Sequence, residues 1–143
     1  MNTVSAAIAC VAIYAAMESA WLFSMSSFYA AEFAKFARHP VGMYDVAAVG
    51  MVYALIAASF WFFVLAEIQR TTKPIDAFLR GAFFGFALYG VYNLTNRVTL
   101  KGYSWQLVAV DALWGAAVYG IVALLFCVFL GAGKADSKVD GLS

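Results

Sequence analysis

Two acidic residues stand inside strongly apolar stretches, and each is followed three residues later by a tryptophan: Glu18 by Trp21 and Asp111 by Trp114. On a helix this spacing puts acid and indole on one face. A bare carboxylate in lipid costs several kcal/mol, so each acid must be protonated, paired or hydrated. Three kinds of chemistry fit such a group: interhelical hydrogen bonding, capture of a small polar or lipid headgroup, and proton relay. A third polar group, in VYNLTNRVTLKG, supplies the complement. Asn93, Asn96 and Arg97 are spaced i, i+3, i+4 and share a helical face. Arg97 carries five donors and stays charged, so it needs an acceptor. Asp111, just across a short loop, is the expected partner, with Glu18 the alternative and Asn93 donating to whichever acid Arg97 leaves. The polar-layer candidates are therefore Glu18, Trp21, Asn93, Asn96, Arg97, Asp111 and Trp114.

The elements that carry these residues are membrane helices. The chain is 65% hydrophobic and 12% charged, against roughly 25% charged in soluble domains, and its mean hydropathy is +0.84. Four apolar runs cover about residues 4–25, 46–65, 75–94 and 105–130. Each has roughly the 20 residues a helix needs to cross the hydrocarbon core, and none alternates as a barrel strand would. The expected fold is all-α: four transmembrane helices in an up-and-down bundle over residues 1–130, then a polar, flexible tail at 131–143. Glu18 lies about 10 Å below one membrane face and Asp111 about 9 Å below the same face, at about 1.5 Å per residue. Asn93, Asn96, Arg97 and Asp45 reach that face too, while the opposite half is apolar, with Phe60, Phe62, Phe63, Phe84 and Phe126 expected to line it. Gly81, Ala82 and Gly85 allow close packing of the third helix.

The connections fit this plan. The first carries Glu32, Lys35, Arg38, His39 and Pro40, with Phe33, Phe36 and Ala37 spaced for a short interfacial helix. The second holds Arg70, Lys73 and Pro74, and the third contains Gly102. The Lys/Arg tally is five on the side of the termini (Arg70, Lys73, Arg80, Lys134, Lys138) against four (Lys35, Arg38, Arg97, Lys101). That bias favours both termini on the cytoplasmic or equivalent side. Glu18 and the lack of a preceding basic region argue against a cleaved signal peptide. Cys10 and Cys127 read as packing residues, and a single histidine, His39, builds no histidine cluster, so no metal or other cofactor is expected. The sequon Asn93-Leu94-Thr95 falls at a membrane helix end and reads as chance. A net charge of +1 gives no reason to expect nucleic acid.

The run from Gly81 to Gly115 also resembles a known pattern. Tyr92-Asn93-Leu94-Thr95-Asn96, Thr99-Leu100-Lys101-Gly102 and Asp111-Ala112-Leu113-Trp114-Gly115 resemble the "YDLTN-x-ATLKGW … D-x-x-WG" signature. It belongs to an uncharacterised domain-of-unknown-function family of small four-helix membrane proteins from bacteria and large DNA viruses. Glu18-Ser19-Ala20-Trp21-Leu22 resembles its "D-x-x-WL". Asn93 stands where the family has Asp, Glu18 replaces Asp, Arg97 replaces an apolar residue, and Tyr103-Ser104 replaces Trp-Pro. The resemblance implies a four-helix integral membrane protein and no reaction.

The expected role is a structural or accessory membrane component, in contact with lipid and with other subunits of a complex or further copies of the chain. A first alternative is binding of a small polar or lipid headgroup, or proton-coupled transport through an oligomer. A second is a lipid- or isoprenoid-modifying enzyme with Asp111 or Glu18 as general acid. No nucleophile–base pair, metal cluster or nucleotide loop supports an enzyme.

Overall fold

The computed structural model describes residues 2–36, 42–68 and 73–139, with side chains described to Gly131. The described residues are helical and contain no strand. Helix α1 spans Thr3–Ser24 and opens on Asn2, whose side chain accepts from the Ser5 amide at 2.8 Å. A short helix α2, Ser26–Phe33, follows directly. Helix α3 spans Met43–Ile68, with Trp61–Leu65 wound as a π-helical turn. Asp45 fixes its start by accepting from the Gly42 amide at 2.7 Å. Helix α4 spans Pro74–Thr99 with the proline in its first turn, and α5 spans Trp105–Val139. The α4–α5 turn uses Gly102 at φ +90°, a backbone region that suits glycine. Ser104 then caps α5 by accepting from the Leu107 amide at 3.0 Å.

Helix α5 is the axis of the molecule. Helix α4 lies antiparallel to it in near-backbone contact. A Cβ at Gly85 would stand 2.0 Å from the Gly115 carbonyl oxygen, and one at Gly81 would stand 2.3 Å from that of Tyr119. Helix α1 also runs antiparallel to α5, with Cys10 Sγ against the Val122 carbonyl at 3.8 Å and Tyr14 against Tyr119 at 5.5 Å between rings. Helix α3 joins through its C-terminal half, where Phe60 meets Phe84 and Tyr119 and Trp61 meets Phe126. Its N-terminal half stands away, with Met43, Val46, Val49, Val52 and Leu55 exposed.

Three helices are long and apolar enough to cross a membrane: Thr3–Ser24, Met43–Ile68 and the Trp105–Gly131 part of α5. The fourth expected span, in α4, is long enough at 26 residues but carries Asp76, Arg80, Asn93, Asn96 and Arg97, which lower its hydropathy. The short helix of the first connection also comes earlier than expected: it is Ser26–Phe33, Phe36 lies beyond its end, and Ala37 falls outside the described residues. Arg38, His39, Pro40, Arg70, Thr71 and Thr72 fall outside them too. Phe60, Phe84 and Phe126 pack inward as expected, but Phe62 and Phe63 are exposed. The π-helical turn sets Phe60, Val64, Leu65 and Ile68 toward the bundle and leaves those two rings outside.

A candidate polar site where four helices meet

The residues that distinguish this chain converge where the end of α1, all of α2, the end of α4 and the start of α5 meet. Asp111 is buried on α5. Tyr29 of α2 donates its hydroxyl to Asp111 Oδ1. Asn93 of α4, with no exposed surface, donates to Asp111 Oδ2 at 3.2 Å and to the Tyr89 carbonyl at 2.9 Å. Its own carbonyl oxygen accepts from the Tyr103 hydroxyl. The amide thus bridges two unlike partners, receiving on one side and donating on the other, which a carboxylate in the same place could not do. Burial pushes the Tyr103 phenol up to about 12, and burial raises that of Tyr29 as well. Both hydroxyls therefore keep their protons and act as donors across the physiological range.

Glu18 forms a second centre on α1. Its Oε1 accepts from Trp114 Nε1 at 3.0 Å and from the Tyr89 hydroxyl at 3.3 Å. The two centres are joined by the tryptophans. Trp21 and Trp114 stack with centroids 4.3 Å apart and planes at 4°. Trp21 Nε1 donates to the Tyr29 hydroxyl at 2.9 Å. Each acid-x-x-Trp motif therefore sends its indole toward the other motif's acid: Trp114 reaches Glu18 directly, and Trp21 reaches Asp111 through Tyr29. In a membrane, where apolar surface alone distinguishes little between helix pairings, such reciprocal bonds fix register.

The structure thus brings Glu18, Trp21, Asn93, Asp111 and Trp114 into one layer. Asn96 lies at its rim, half-buried. Arg97 does not pair as expected. Its guanidinium carbon sits 5.3 Å from the centroid of the Trp105 ring, and its Nε has no hydrogen-bond partner among the described residues. The reason is physical: Tyr29 and Asn93 already occupy both oxygens of Asp111 with neutral donors. Those donors cost far less to dehydrate than a guanidinium. Arg97, one turn nearer the face, stacks on the indole instead.

The sequence reading missed Tyr29, Tyr89 and Tyr103 as members of this layer. Tyr29 and Phe33 at i, i+4, with Glu32 beside them, were the available signal for α2. That helix packs its Phe28, Tyr29 and Phe33 onto Tyr103, Leu107 and Val108, so it closes the bundle at this end. Just beyond its end Lys35 Nζ pairs with the buried Glu32 at 2.7 Å, and that ammonium holds the Glu32 carboxyl below the usual carboxylate range.

The pattern of the predicted membrane protein family DUF2177, a domain of unknown function, matches residues 3–128. The chain belongs to that family. Neither a curated protein nor a solved structure matches it. The matched segment of DUF2177 takes in α1 to α4, α5 as far as residue 128, and every residue of the layer, so the network lies within the family's own domain.

Proposed function

We propose that this DUF2177 protein is a structural or accessory membrane component whose polar layer is an interhelical clasp. The observation that carries the reading is how the polar groups are spent. Both oxygens of Asp111 and Oε1 of Glu18 take donors from other helices, and Asn93 gives and receives at once. A proton relay needs groups left free to exchange, and a general acid needs open access to a substrate; Asp111 has neither. A double-mutant cycle between Asn93→Ala and Asp111→Ala, read by unfolding in mixed micelles, tests the clasp. The expected coupling is about 0.6 to 1.7 kcal/mol; a coupling indistinguishable from zero refutes the reading.

The same proposal takes α4 as a fourth crossing, with both termini on the cytoplasmic or equivalent side. At 26 residues it spans about 39 Å, and Gly81, Gly85 and Asn93 meet α5 while Phe83, Phe86 and Val91 face out. In a cysteine-free background, Lys73→Cys and Lys101→Cys bracket the helix. Labelling from opposite faces of a sealed vesicle is expected, and labelling of both from one face refutes the fourth crossing.

A further inference from the structure

Because the N-terminal half of α3 stands away from its neighbours, a cleft of 600 Å³ opens between α1, α3 and α4. Its walls are apolar residues such as Val52, Ile56 and Leu88, with one charged side chain, Glu18. Four tyrosines, Tyr14, Tyr53, Tyr89 and Tyr92, complete the lining. A second cavity of 420 Å³ between α1, α3 and α5 shares Tyr14, Tyr53 and Ile56 with it and so adjoins it on the side of Phe60. These volumes fall in the range of small-molecule sites, roughly 300–1,000 Å³.

Unlike Asp111, Glu18 is left incompletely matched. Both its protein donors are neutral and both go to Oε1. Among the described residues no lysine or arginine forms an ion pair with it, and Arg97, the cation on the facing helix, is turned to Trp105. A carboxylate half-sunk in an apolar cleft with tyrosines among its walls is complementary to one kind of ligand: a cation that satisfies the carboxylate by charge and can reach the rings by cation–π attraction. We propose that this cleft binds a lipophilic organic cation, an alkyl or aryl ammonium whose charged centre sits at Glu18 among the tyrosines and whose apolar body fills the space toward Phe60.

A membrane lipid's own headgroup is a poorer occupant. Glu18 lies six residues before the end of α1 at Ser24, about 9 Å below that end. Bringing a choline or ethanolamine group to that depth would drag its phosphate into apolar surroundings beside a carboxylate. A free ammonium carries no such anion.

Tetrahexylammonium added to the protein in a maltoside detergent, followed by calorimetry and by quenching of tryptophan fluorescence, is the test. Saturable binding is expected, at least about tenfold weaker for Glu18→Gln, whose amide oxygen can still accept from Trp114, and weakened in Tyr53→Ala but not Tyr53→Phe. Each variant is first checked for the parental elution volume and unfolding midpoint. If Glu18→Gln keeps both but fails to bind, the site is supported and the clasp is unaffected. Equal binding by Glu18→Gln, or equal binding of a neutral alcohol of the same size, overturns the proposal. So does a zwitterionic phospholipid that co-purifies with the parent and not with Glu18→Gln, because it assigns the cleft to the membrane's own lipid.

Discussion

Deleting one oxygen atom, in Tyr29→Phe, probes the layer with little disturbance of packing. The ring stays in place against Phe33, 5.9 Å away at 16°, and against Phe28 at 5.5 Å. What goes is a hydroxyl that donates to Asp111 and accepts from Trp21. The first bond is to a charged acceptor, worth about 1.5–3 kcal/mol, and the second is neutral, worth about 1 kcal/mol. Interhelical hydrogen bonds in membranes measure lower, about 0.6 kcal/mol on average, because the separated helices find other partners. Tyr29 is only half-buried, so water can partly replace the lost hydroxyl. We expect a loss of about 2 kcal/mol, read as a shifted midpoint when sodium dodecyl sulfate is titrated into maltoside micelles. Trp21→Phe completes a cycle: because both changes act through the same hydroxyl, their losses are expected to be less than additive. A loss under about 0.5 kcal/mol for Tyr29→Phe, or strict additivity with Trp21→Phe, refutes the view that Tyr29 links the two acid centres.

Two further expectations follow from the same geometry. Gly85→Ala would place its Cβ 2.0 Å from the Gly115 carbonyl oxygen, whereas Gly90→Ala meets nothing within 4 Å; the first should cost about 1–3 kcal/mol and the second should gain about 0.5–1 kcal/mol in the same titration, and equal effects would show that α4 and α5 do not approach as described. Arg97→Leu, which removes a cation stacked on Trp105, should cost no more than about 1 kcal/mol, with the same loss at pH 6 and pH 9; a loss that grows as pH rises would show that Arg97 compensates an acid after all.

Much of the layer was legible because lipid makes polar residues conspicuous. An acid inside an apolar run has few places to go, so Glu18 and Asp111 could be turned inward from composition alone, and their shared spacing to Trp21 and Trp114 marked matching faces. Gly81 and Gly85 marked a close contact for a similar reason, since only small residues let backbones meet. The partner choice was not legible. Arg97 looked like the natural counter-ion by charge, but charge ranks partners correctly only when dehydration costs are equal. A phenol and a carboxamide reach a buried acid more cheaply. Tyr29 is 82 residues from Asp111 and sat in a segment read as a connection, where the spacing followed was that of Phe33, Phe36 and Ala37 rather than that of Tyr29 and Phe33. The outward lean of α3 was equally hidden. Its sequence is apolar on all sides, as a lipid-facing helix and a buried one both are, so the pattern could not say which face meets protein.

The reciprocal arrangement of the two acid-x-x-Trp motifs has a consequence for how this end of the bundle holds together. Helices α1 and α5 are the first and last of the chain, and their polar contact spans 96 residues, from Glu18 to Trp114. At this end one hydrogen bond and one indole stack add to the packing of Cys10 and Tyr14 on α5, and each is weak on its own. Helix α2 changes that, because it begins at Ser26, immediately after α1, and is already tethered to it. When Tyr29 docks on Asp111 it orders α2 against Tyr103, Leu107 and Val108 and presents the acceptor that Trp21 needs. Stacking of Trp21 on Trp114 in turn holds the indole that bonds Glu18. Each of these contacts lowers the ordering cost of the next, so the polar bonds of Glu18, Trp21, Tyr29 and Asp111 reinforce one another. A short helix that looks peripheral thereby adds a polar tie, at this end, to a pairing of α1 and α5 that Cys10 against Val122 and Tyr14 against Tyr119 carry further along.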